Sequence, residues 1–161
     1  MRLRPPDAVR ARAGRDRVLA WVASGDSSIV ATDRALLLPV GSTPERIPWD
    51  LVLRVLWHEH TVEVTSQDVA GAPAVVHRIA YVGDPGSLPE AVRERVNASI
   101  VVIRHVELRG EQGARLVARR DPADSALRWS VVFDPGLDPR DPELRRAADE
   151  ALGVLRASLG V

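Results

Sequence analysis

The apolar positions of this chain recur mostly at every second residue. Leu51, Leu53, Val55 and Trp57 share one parity and Asp50, Arg54 and His58 the other, with Val52 and Leu56 as exceptions. Period two belongs to a pleated strand, whose successive side chains point to opposite faces, so residues 51–57 are expected to form a strand with its odd positions inward. In TVEVTS the apolar parity passes to Val62 and Val64, which predicts a reversal near 58–61 and hence a hairpin. Upstream, RVLAWVA from Arg17 and SIVATDRALLLPV read as buried strands divided by SGDSS and by Thr32-Asp33-Arg34. Downstream, Ala74–Val82 is a further strand closed by Gly83-Asp84-Pro85-Gly86. A three-stranded meander follows: SIVVIRHVEL, ARLVARR and ALRWSVVF, joined by RGEQG and DPADS. In its last strand Leu127, Trp129, Val131 and Phe133 alternate with Arg128, Ser130 and Val132, which predicts one inward face and one at least partly exposed.

Two stretches leave this period for a helical one. SLPEAVRERVNAS opens with Ser87 as the expected N-cap, Pro89 in the first turn and Glu90 in place to complete a capping box; Leu88, Ala91, Val92, Val96 and Ser99 form its stripe. Near the end, Asp141 is the expected N-cap and Pro142 the first helical residue. Leu144, Ala148, Ala151, Leu152, Leu155 and Leu159 then recur at three- and four-residue steps up to Gly160. The expected fold is α+β: a strongly bent antiparallel sheet, or partly open barrel, of about eight strands. One helix lies in the middle, and a C-terminal helix packs on the sheet. Residues 1–161 are expected to be a single domain, with 1–16 a loosely attached N-terminal arm containing a short AVRARAG turn of helix ended by Gly14.

Composition removes several kinds of chemistry. The chain has no cysteine, so disulfides, thiol catalysis and cysteine-ligated metal sites are excluded. No apolar run reaches the roughly 18 residues of a membrane span, and MRLRPPDAVRARAGR lacks the apolar stretch of a secretory signal, which together predict a soluble cytoplasmic protein. All 22 basic residues are arginine, a bias that must be discounted before any one arginine is read as functional. Net charge is zero but unevenly spread: +4 over 1–20, −5 over 21–92, +3 over 93–133 and −2 over 134–161.

Searches for reactive constellations return little. There is no GxSxG elbow, no GxGxxG loop and no Walker A loop, whose lysine this chain does not contain, so no cofactor is expected. His58 and His60 flank Glu59 with a spacing compatible with two metal ligands on one side of a strand, yet a charged tripeptide is also what an exposed hairpin tip requires; a metal enzyme there ranks last. His77 and His105 are single strand histidines, read as packed or solvated. Asp50, Glu59, Glu63 and Asp68 fall in or near the hairpin, where a solvated acidic edge is the commoner explanation than a catalytic pair. Arg104, Arg115, Arg119 and Arg128 of the meander, with Arg93 and Arg95 before it, would suit phosphates if they shared a face, and nucleic-acid binding through 93–128 is therefore the alternative function. Trp49 and Tyr81 are the aromatics least firmly assigned to the core and complete the set of candidate binding residues.

RVLAWV, IVATDRALLL, ERIPWDLVLRV and HTVEV together resemble the first strands of bacterial pleckstrin-homology-like domains, through the Thr32-Asp33-Arg34-x-Leu36 turn and the Ile47-Pro48-Trp49-x-x-Val52 approach to the next strand. The likeness covers about residues 17–82. The whole chain also resembles a group of short uncharacterised actinobacterial proteins sharing RIPW, VRERVNASIVVIRHVEL, RWSVVFD and GLDP, a likeness that brings no activity with it. The expectation is a non-catalytic interaction module that binds a peptide or partner protein along an exposed strand edge. Pairing of such edges with a second copy of the chain is the other partner considered.

Overall fold

A computed structural model describes residues 4–69 and 72–161 of the chain. Helix α1 (Asp7–Ala13) leads into β1 (Val18–Ser24), β2 (Ser27–Thr32), β3 (Ala35–Leu37) and β4 (Arg46–Pro48), which form one antiparallel sheet in that spatial order. A single 3-10 turn, Trp49–Leu51, ends this sheet and starts the next, made of β5 (Val52–Trp57), β6 (Thr61–Ser66) and β7 (Val75–Ala80). Helix α2 (Leu88–Ser99) follows, then β8 (Ile100–Arg109), β9 (Gln112–Arg120) and β10 (Leu127–Phe133) as a third antiparallel sheet, and finally α3 (Pro142–Leu159).

The fold is therefore α+β, but among the described residues the single bent sheet of about eight strands is replaced by three sheets of four, three and three strands, none closed into a barrel, and by three helices. Local chemistry accounts for the first break. Pro48 has no N–H to offer a ladder, and the 3-10 turn after it swings the chain out of the first sheet. Helix α2 accounts for the second by separating β7 from β8.

One core lies between the first two sheets and α2. Ala20, Val22, Ile29, Leu36, Ile47, Val52, Val62 and Val64 meet Leu88 and Val92 there, with Ala91 and Val96 packed at the margin. The expected stripe of α2 thus faces the core, although its cap differs: the Ser87 side chain makes no capping bond, and the first turn is held by Leu88 N–H to Pro85 C=O and Ala91 N–H to Ser87 C=O, both 3.0 Å. On the hairpin the reversal falls at 58–60, closed by His58 N–H to Thr61 C=O at 2.8 Å. Val52, an exception to the parity rule, is fully buried because a bulge between Val52 and Arg54 resets the register.

Within residues 1–16, read from sequence as a loosely attached arm, α1 buries Val9 and Ala13 on the outer face of the first sheet. Arg12 reaches over that sheet and donates to the carbonyls of Ser28 and Leu38. At the other terminus, Asp141 caps α3 by accepting from Glu143 N–H at 3.0 Å, and Gly160 ends it in the left-handed region. Leu144, Ala148 and Leu155 are buried as the helix packs on the third sheet.

Candidate functional site

The two candidate aromatics both turn inward. Trp49 is 1% exposed and its Nε1–H donates to the Thr32 carbonyl at 2.8 Å. Tyr81 is buried, donates its hydroxyl to the His58 carbonyl, and meets Trp57 edge to face with centroids 5.7 Å apart.

The four meander arginines divide. Directly opposed residues of an antiparallel ladder share a face, and the pairs His105–Arg115, Ile100–Arg119 and Arg128–Arg119 place Arg115, Arg119 and Arg128 on one side. Arg104, opposite Leu116, lies on the other. Arg104 and Arg115 are exposed. Arg119 is buried and donates to the Val52 carbonyl, while Arg128 inserts between Asp50 and Asp121. The face of β10 read as at least partly exposed is half-buried: Arg128 keeps 39% of its side chain exposed and Val132 is intermediate, while Ser130 between them is buried.

Asp50 is the unexpected member of this group. Its side chain is wholly buried, and Oδ2 lies 2.5 Å from Arg128 Nε, off the line of the N–H bond, so the contact is an ion pair and both oxygens lack a hydrogen-bond partner among the described residues. Burial first, and then the charge of Asp121, push the Asp50 carboxyl above its ordinary range against the opposing pull of Arg128. For Asp121 burial also pushes upward, but the Arg128 hydrogen bond, the Ala123 N–H and the Arg128 charge together hold it below the ordinary range. Arg119 is lowered by burial, with Asp50 opposing. The partner of Asp50 comes from β10, not from the hairpin carboxylates.

The histidines do not converge. His58 faces Glu63 at 4.0 Å and His60 faces Glu59 at 3.7 Å, His77 bonds Ser66 Oγ at 3.0 Å, and His105 bonds Asp134 at 2.8 Å. Among the described residues no three His, Asp or Glu side chains gather as a metal set would.

A wide concavity lies elsewhere, along the free edge of β1. It is a groove of about 1210 Å³ floored by β1 and walled by α2 and by the chain from Val82 to Ser87. Ala20 and Val22 point into the core, which leaves Leu19, Trp21 and Ala23 on the other side of the strand. Among the described residues a single backbone bond crosses this edge, from Val82 N–H to Ala23 C=O at 2.9 Å. Narrow and wide pairs alternate along an antiparallel ladder, so the N–H and C=O of Trp21, two residues from Ala23, point out of the sheet on the same side. Sequence reading missed this site. Its only local signal is that Leu19 and Trp21 are apolar at the parity opposite to the core residues Ala20 and Val22.

In comparisons with known proteins, no family model, no curated protein and no solved structure matches the chain.

Proposed function

We propose that this protein is a non-catalytic interaction module that takes an extended segment of a partner protein as an added strand on β1, held against α2. The observation that carries the reading is the open edge of β1 inside the groove, where among the described residues the N–H and C=O of Trp21 have no backbone partner and a half-buried apolar shelf, Leu19 and Trp21, lies beside them. Strand addition needs both: main-chain bonds supply affinity and the flanking surface supplies selectivity. The pleckstrin-homology-like reading of the first half is supported by two successive antiparallel sheets closed over one core by α2. The nucleic-acid reading is weakened because Arg119 and Arg128 are spent on internal partners and Arg104 faces away from Arg115.

The test is selection of eight-residue peptides displayed on phage, against the wild type, Trp21→Ala and Trp21→Pro. Ala23 already faces Val82, so the free outward N–H is that of residue 21; proline removes it while leaving the β1–β2 bonds, which face the other way, and alanine controls for loss of the ring. Enriched sequences with alternating apolar residues that bind the wild type and Trp21→Ala and lose at least about tenfold more on Trp21→Pro, with the two variants melting alike, support the proposal. Binding indifferent to the proline overturns it.

A further inference from the structure

The groove is electrically polarised along β1. At its Val82 end lie Asp84 and, on the first turn of α2, Glu90. At its Val18 end lie Arg17 and Arg4; the neighbouring Pro5 shares a second hollow with Asp16 and Val18, which fixes Arg4 at this end. Asp16 does not cancel these cations, since its carboxylate is paired with Arg46 at 2.7 Å and accepts from Thr32. Asp33 is the other acid nearby, and it accepts the Arg17 backbone N–H at 2.8 Å. Further along α2, Glu94 and Arg95 line the wall together, and Arg95 Nε is buried without a hydrogen-bond partner among the described residues.

The fold also sets a direction. The tail of β7 touches β1 in an antiparallel bridge at Ala23–Val82, and Gly83, at φ 83°, then turns the chain away after that one pair. A ligand strand that continues this ladder over Trp21 and Leu19 runs antiparallel to β1, the slightly stronger pairing, with its amino end beside Asp84 and its carboxyl end beside Arg17 and Arg4. With Ala23 taken by Val82, the edge from Val18 to Val22 offers room for about five residues at ~3.4 Å each, its register irregularity falling between Val18 and Ala20.

Resting on the strand-addition reading above, we infer that the ligand is a directional peptide. It carries a cation at its amino end and a carboxylate, either an acidic side chain or a free C-terminus, about six residues later. Across a solvent-exposed groove such charges mainly select partner and direction.

Calorimetric titration with synthetic peptides tests this. The probes share a Thr-Val-Ser-Val-Thr centre. The forward peptide has Arg before it and Glu with a free carboxyl after it; a second is identical but amidated; the reversed peptide has Glu first and amidated Arg last. The forward peptide is expected to bind about fivefold or more tightly than the reversed one, and Arg17→Glu to erase that preference while Arg17→Lys keeps it. Equal binding of the amidated form assigns recognition to the side-chain carboxylate, and weaker binding assigns it to the C-terminus. If all three bind Trp21→Ala alike and all are lost on Trp21→Pro, the groove reading stands and the polarity is wrong. If none binds, or Trp21→Pro binds as well as Trp21→Ala, both fall. Arg17 is exposed, and a melting curve of each variant separates misfolding from lost contacts; the order of the peptides on the wild type decides the question even without the variants.

Discussion

Arg128 on β10 ends 2.5 Å from the carboxylate of Asp50, in the turn that joins the first two sheets, and so ties the third sheet to them. Removing the cation leaves a buried carboxylate without its charge partner, the costly half of breaking such a pair. Arg128→Met should destabilise by about 2 to 3 kcal/mol, less than the roughly 3 to 5 of a fully buried pair, because the Arg128 side chain keeps 39% exposure. Urea unfolding of Arg128→Met, Asp50→Asn and the double variant checks this; additive losses would show that the two residues are uncoupled.

Asp50 and Asp121 should give stability opposite dependences on pH. With its folded pKa raised, Asp50 holds its proton more tightly in the native state, so stability falls as pH rises from the ordinary value of 3.8 through the raised one. With its folded pKa lowered, Asp121 contributes stability that is present above 3.8 and lost as pH falls through the depressed value. Unfolding free energies measured against pH should therefore show Asp50→Asn removing a decline on the alkaline side of 3.8, and Asp121→Asn removing a decline on the acid side. Parallel curves for wild type and Asp50→Asn would contradict the first assignment.

Gly113 lets β8 and β9 approach. A Cβ there would sit 1.7 Å from the Val106 carbonyl oxygen and 2.9 Å from Glu107 Cα, both backbone atoms that cannot swing aside. Gly113→Ala should cost at least about 3 kcal/mol and expose the β8–β9 amides to exchange. A loss below about 1 kcal/mol would mean that the hairpin separates more easily than its ladder suggests.

Arg12 pins α1 to the first sheet through the Ser28 carbonyl at 2.6 Å and the Leu38 carbonyl. Arg12→Met keeps the stem and removes the donors, and should cost about 1 to 2 kcal/mol. The signature is local: amide exchange in Asp7–Ala13 should accelerate well before that of β6. Equal protection of α1 in both proteins would assign its attachment to Val9 and Ala13 alone.

Elements whose signal is carried by near neighbours were legible along the chain. Val62 and Val64 marked β6, Leu88 and Val92 the inner side of α2, and Asp141-Pro142 the start of α3, because side-chain period and capping act within a few residues. Where Ser87 failed to cap, its backbone lies in the helical region at φ −84° and ψ 0°, not in the extended region from which a cap side chain reaches back, and Pro89 in the first turn has no N–H to donate. The division into three sheets was not legible, because alternation says which face is inward and not which strand stands alongside.

The sequence by itself determined that this is an antiparallel α+β protein without thiol chemistry, and which side chains of most strands and helices look inward. Tertiary structure alone decided that Trp49 and Tyr81 are buried, that Arg119 answers the Val52 carbonyl and Arg128 answers Asp50, and that β1 keeps an open edge beside α2. The reason is range: periodicity and caps are local properties of the backbone, whereas a charge pair or a groove exists only after distant segments have been brought side by side.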